Sequence, residues 1–156
     1  MVAHNARFDL AIIAKEGIVP TRHIDTLRVA RALDKSNVIP QYKLQFLRYY
    51  LDIEVEADAH DALGDVSVLE KLYERLLDKI MKEDSIDEES AIEKMIEISS
   101  KPSLIHNISF GKYSGKTVTE VAEIDPGYLA WLLREKEQNP ANEEDWIYTL
   151  KKYLGK

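Results

Sequence analysis

The chain has 156 residues, 45% of them apolar and 31% charged, which suits one core-forming domain with a small appendage. It has no cysteine, so disulfides and thiolate zinc sites are excluded, and no apolar run approaches the roughly 18–20 residues of a membrane span. The net charge of −7 argues against a surface that grips nucleic acid as a whole. The acidity is uneven, however: residues 78–103 hold four basic and eight acidic residues, against seven and eight in 104–156. No basic leader region precedes the first apolar run, and a cytoplasmic location is expected.

In chain order, a first helix is predicted from about Ala3 to Glu16, stopped by Gly17 and Pro20. Arg22-His23-Ile24 reads as a short extended piece, after which Asp25 or Thr26 caps a helix to Leu33. Pro40 precedes a helix over Gln41–Leu51 with Leu44, Leu47 and Leu51 on one face. Ile53-Glu54-Val55 is brief and strand-like, and a long helix follows from about Ala62 to Ile80. Residues 81–103 are charged, with weak helical periodicity at Ile92, Met95 and Ile96. They read either as a linker carrying one amphipathic helix or as a solvated helix of the main domain. Beyond Pro102, Gly111 and Gly115 suggest a bent strand pair, "DPGYLAWLLREK" a turn into a helix, and Asn142 the cap of a last helix.

Two acidic residues fall on apolar stripes. On a 100° wheel Asp65 shares a face with Leu69, Leu72 and Leu76, and Asp9 with Val2, Ala6 and Ile13. An ionised carboxylate buried there costs several kcal/mol unless it is paired or binds a metal. Backbone amides or an arginine would satisfy either one. Two such carboxylates with His60 nearby instead suit a magnesium or manganese site, since these ions prefer oxygen ligands.

"HNARFD" at residues 4–9 resembles the second motif of the DnaQ-like DEDDh 3′→5′ exonucleases, and "HDALGD" at 60–65 resembles their third. "HIDTLRVARAL" and "YKLQFLRYYLDIEVEADAHDALGD" have the order and spacing that join these motifs. The resemblance implies a metal-dependent exonuclease with a two-metal site. Asp9 and Asp65 would be metal ligands for Mg2+ or Mn2+, His60 the general base on the attacking water, and Asn5 and Phe8 contacts to the 3′-terminal nucleotide. The family's first motif, Asp-x-Glu, supplies two further carboxylates. Asp52-Ile53-Glu54 lies between the other two motifs and does not correspond to it. The expectation is therefore an N-terminally truncated enzyme, weak or inactive alone, completed by a missing N-terminal segment or a second chain. The alternative is a non-catalytic nucleic-acid-binding or protein-interaction remnant. The leucine stripe of the long helix, deprived of the family's sheet, would need another partner or stay exposed.

"FGKYSGKT" has only three residues between its glycines, one fewer than a phosphate-binding P-loop requires. With "DPGYLAWLL" it resembles the small C-terminal domain of exonuclease X-like proteins. Lys112, Tyr113 and Lys116, in a stretch free of acidic residues from Leu104 to Thr119, are candidate contacts to a strand; they read equally as plain surface. Phe110 and Trp131 are read as core. The expected fold class is thus α/β: a partial RNase H-like exonuclease fold lacking its first strands, mostly helical, plus a small β-hairpin and helix domain. The expected divisions are 1–80, a charged linker or helix over 81–103, and 104–156. The expected partners are single-stranded DNA or DNA 3′ ends, with no membrane.

Overall fold

The computed structural model describes residues 1–56 and 62–156. The chain forms two units, Met1–Lys101 and Pro102–Lys156. Among the described residues it is mostly helical, with one pair of short parallel strands.

The first unit opens as strand, helix, strand: β1 (Val2–Ala3), α1 (Ala6–Lys15), β2 (Ile24–Asp25). The strands pair in parallel, Val2 with Ile24 and Ala3 with Asp25, and α1 is the crossover that a parallel pair requires. The first helix starts three residues later than its apolar pattern suggests. Asn5 adopts a left-handed conformation, φ 63° and ψ 54°, which an Asn tolerates better than most side chains. That kink separates β1 from α1.

It also turns the first amide groups of α1 toward Asp25. This carboxylate is 2% exposed. One oxygen accepts the N–H of Asn5 at 2.9 Å and of Leu27 at 3.0 Å, and the other accepts the N–H of Ala6 at 3.1 Å. Asp25 is the cap expected for α2 (Thr26–Leu33), and the same side chain also caps α1. Two positive helix ends and three N–H donors offset the cost of burying its charge. Around it, Ser99 Oγ accepts the Asp25 N–H at 2.8 Å and donates to Met95 O at 2.7 Å, and Arg28 donates to Ser99 O at 2.9 Å.

His4 sits beside this network. Its Nε2 lies 2.6 Å from Tyr42 O and its Nδ1 2.8 Å from Thr26 Oγ1. A carbonyl only accepts, so Nε2 carries the proton, and in the neutral ring Nδ1 accepts from the Thr26 hydroxyl. Burial lowers the imidazole pKa below its ordinary value, against the smaller opposing effect of the Tyr42 hydrogen bond. Further along, Asp34 ties down the loop after α2, accepting from Val38 N, Ile39 N and the Tyr42 hydroxyl.

The helix predicted from Gln41 is shorter, α3 (Leu44–Tyr50), because Lys43 is still extended. Residues 53–55 form no strand, although Ile53 is buried. The long helix α4 (Ala62–Asp84) outruns its expected end by one turn and meets α5 (Glu88–Ser99) through a turn at Ser85, φ 52°. Within residues 81–103, α5 is packed and not merely solvated: Ala91 and Met95 are fully buried in the core shared with α4. The leucine stripe does not await another partner. Leu72, Leu76 and Ile80 lie in a core with Val29 and Ala30 of α2, Leu47 of α3 and Met95 of α5.

In the second unit the expected hairpin is reduced to one antiparallel bridge, Asn107 with Thr117, closed by Ile108 N–Lys116 O and Gly115 N–Ile108 O bonds of 2.8 Å. A 3-10 turn, Gly111–Tyr113, fills its tip. Three helices follow, α6 (Val118–Ile124), α7 (Pro126–Lys136) and α8 (Glu144–Tyr153). Thr117 and Glu120 form a reciprocal capping box on α6. Asp125 caps α7 ahead of Pro126, whereas Glu143, not Asn142, precedes α8. Ile108, Val118, Val121, Leu129, Leu132, Leu133 and Leu150 make the core of this unit.

Two predictions follow from the first unit. Asp25→Ala strands three amide donors at two helix starts and should cost about 3 kcal/mol in urea unfolding; a loss under about 1 kcal/mol would show that the double cap matters little. His4 has a lowered folded-state pKa, so the unfolded chain takes up the proton first as the pH falls. Its contribution is complete above the unfolded value near 6.5 and shrinks below it, by up to about 1.4 kcal/mol per pH unit. The urea midpoint should therefore drop between pH 7 and 5.5, and less steeply in His4→Gln; equal slopes would contradict the assignment.

Candidate functional site

The α1 helix carries three of the predicted site residues at or near its first turn. Asn5 precedes it as the kink residue, Phe8 is 61% exposed, and Asp9 is exposed. Only Ala6 of this helix is buried. The expectation that Asp9 lies on a buried stripe is thus corrected. Ile12, at 62% exposed, Ile18 and Val19 are also open, so the apolar pattern of α1 faces solvent in this unit.

Asp65 needs the same correction. It belongs geometrically to the stripe of α4, but burial along that stripe begins at Gly64 and Val68 and continues through Leu72 and Leu76. Its own turn runs past the helices that cover the rest. Leu63 and Val66 are exposed beside it, and Asp65 is exposed too. Gln45, on the first turn of α3, donates its amide Nε2 to Asp65 Oδ1. Neither Asp9 nor Asp65 is paired with a cation among the described residues. His60 lies outside the described residues. Among the described residues, no group of three or more His, Asp or Glu side chains is placed to hold a metal ion.

In the second unit, Lys112 and Tyr113 converge on Asp125. The Tyr113 hydroxyl donates to Asp125 Oδ2 at 2.7 Å, and Lys112 Nζ reaches the same oxygen at 3.2 Å. Asp125 Oδ1 accepts the Tyr128 N–H at 3.0 Å. The Tyr113 hydrogen bond, then the Tyr128 amide, then Lys112 hold this carboxyl below its usual range, and Lys112 is raised by Tyr113 and Asp125. Lys116 is exposed on the turn after Gly115. Gly111 has φ +67°, and a Cβ there would meet Tyr128 Oη at 3.0 Å, so a glycine lets the turn close over that ring.

Three residues escaped the sequence reading in their observed roles. Gln45 gave no sign beyond its position next to Leu44. Asp125 was legible as an Asp before a helix-starting proline, though not as the anchor of Lys112 and Tyr113. Trp131, read as core, is 46% exposed, because Leu129, Leu132 and Leu133 take the buried side of α7.

Residues 108–137, the segment that builds the turn, α6, Asp125 and all of α7, match the family model of the exodeoxyribonuclease X-like C-terminal region. Exodeoxyribonuclease 10 of Escherichia coli (strain K12) is 33% identical over 155 residues, 98% of this chain and 64% of that protein. Exodeoxyribonuclease 10 of Escherichia coli O6:H1 (strain CFT073) is similar to the same extent. The chain is thus similar to exonuclease X-like proteins. It spans a little under two thirds of the length of these curated relatives. No solved structure matches it. The similarity runs through both units of the chain and takes in the helices that carry Asp9 and Asp65. No helix among the described residues is long and apolar enough to cross a membrane.

Proposed function

We propose that the chain is part of a metal-dependent 3′→5′ exonuclease of the DnaQ-like type, acting on single-stranded DNA or DNA 3′ ends. The observation that carries this reading is the presentation of Asp9 and Asp65. Both carboxylates sit on helices aligned with an exodeoxyribonuclease, and both are open to solvent instead of being spent in internal ion pairs. The parallel strands joined through α1 agree with a partial RNase H-like sheet.

Carboxylate oxygens suit Mg2+ or Mn2+, so Asp9 and Asp65 fit as part of the ligand set. Gln45 occupies one oxygen of Asp65 and leaves the other available. When bound, the cations would stabilise the attacking and leaving oxygens at the scissile phosphate. The chain's own residues do the rest on this reading. Phe8, already exposed at the start of α1, meets the last base, and Asn5 bounds the terminal nucleotide. His60 accepts the proton of the water whose oxygen attacks phosphorus as the bond to the 3′ oxygen breaks. Lys112, Tyr113 and Lys116 contact the strand from the second unit. Two carboxylates are fewer than two metals need, and the remainder would come from a further segment or a second chain seated on the open apolar side of α1.

A second reading is a binding protein without catalysis.

The test is digestion of 5′-labelled single-stranded DNA in excess manganese by the wild type, Asp9→Asn, Asp65→Asn and His60→Ala. Stepwise shortening from the 3′ end is expected, slowed by at least about 100-fold in each variant. Folded protein that shortens nothing would exclude catalysis by this chain and favour the binding reading.

A further inference from the structure

The second unit carries a ladder of side chains that runs from Tyr113 and Tyr128, packed against its core, out to solvent. Lys112 Nζ stands 4.7 Å from the centre of the Tyr113 ring. Tyr113 meets Tyr128 edge to face at 4.9 Å, and Tyr128 meets Trp131 at 5.5 Å with the planes tilted by 41°. The ladder starts with a cation and ends in an indole that is 46% exposed. A tryptophan usually contributes its large apolar area to a core or an interface. Here Leu129, Leu132 and Leu133 take the buried side of α7, and nearly half of the indole stays open to solvent.

The helix leaves that ring open. Side chains on a helix lean toward its N-terminus, so Trp131 lies over the position four residues earlier. That position is Gly127, which has no side chain. Three residues later on the same face is Arg134, exposed and without an ion-pair partner among the described residues. Glu135 is also exposed near this face, and Asp125 faces Lys112. Lys112 stands at one end of the ladder, and Arg134 follows Trp131 by one helical turn at the other.

We propose that this face of α7 is a binding site for single-stranded nucleic acid, with Trp131 as the stacking platform for a base and Lys112 and Arg134 placed for the flanking phosphates. Stacking on an exposed aromatic ring with cations along its edge is how a strand is held without regard to sequence. Tyr113 and Tyr128 brace the platform from behind, and Asp125 and Gly111 hold those two rings in place. The choice of nucleic acid rests on the exonuclease reading, but binding at this face does not need Asp9, Asp65 or His60.

The test uses the whole chain in EDTA, so that no cleavage occurs, with a fluorescein-labelled oligothymidylate of about twenty nucleotides, long enough to span one such site. Anisotropy should show saturable binding that weakens as salt rises. Trp131→Ala should weaken it about tenfold and Trp131→Phe should restore most of it. In a Trp146→Phe background, the remaining indole emission should be quenched on binding, a readout that needs no change at position 131. Unaltered affinity in Trp131→Ala, no binding by the wild type, or no quenching would overturn the proposal. So would a Trp131→Ala change confined to self-association in sedimentation, which would make the face a protein contact. Loss of strand shortening with oligonucleotide binding intact would sink the catalytic reading and leave this one standing.

Discussion

The first unit hangs on one buried carboxylate. Asp25 accepts amide hydrogens from the starts of both α1 and α2, and so sets the direction in which α1 leaves the strand pair. A charge at 2% exposure survives only because those donors and two helix dipoles replace its water. The left-handed Asn5 is the backbone counterpart of this arrangement, since it turns two consecutive N–H groups toward the same side chain. Ser99, Arg28, Thr26 and His4 extend the polar network from β2 to α5 and to the loop before α3. Phe8 and Asp9 are presented outward as a consequence.

The buried and open faces of this unit divide its work. The core formed by α2 to α5 closes on itself around Leu47, Leu72 and Met95. By contrast α1 shows Phe8, Ile12 and, after it, Ile18 and Val19 to solvent. Carboxylates and apolar side chains therefore share one exposed helix, and Asp65 projects from the uncovered first turn of α4 in the same manner. Such a surface is not demanded by the unit's own stability.

Much of this was legible in the residues. The extended piece before α2, a cap at Asp25 or Thr26, the long α4 and the change of texture at Pro102 all follow from local chemistry. Capping preferences and helical periodicity act over a few residues and can be read without tertiary information. The motifs at 4–9 and 60–65 pointed to a nuclease relationship that the similarity to Exodeoxyribonuclease 10 supports at the family level. Burial was read less well. A wheel reports which residues share a face but not where along the helix the covering elements stop, so Asp65 was placed inside and Trp131 in the core. The double role of Asp25 and the grip of Gln45 on Asp65 join residues twenty positions apart, and only the folded chain brings these together.

The most direct measurement is a calorimetric titration of Mn2+ into the wild-type chain, Asp9→Asn and Asp65→Asn. If these two carboxylates are ligands of one divalent-cation site, the wild type will bind and each substitution will weaken binding by about tenfold or more. Equal affinity in all three proteins, or no binding by any, would contradict that assignment.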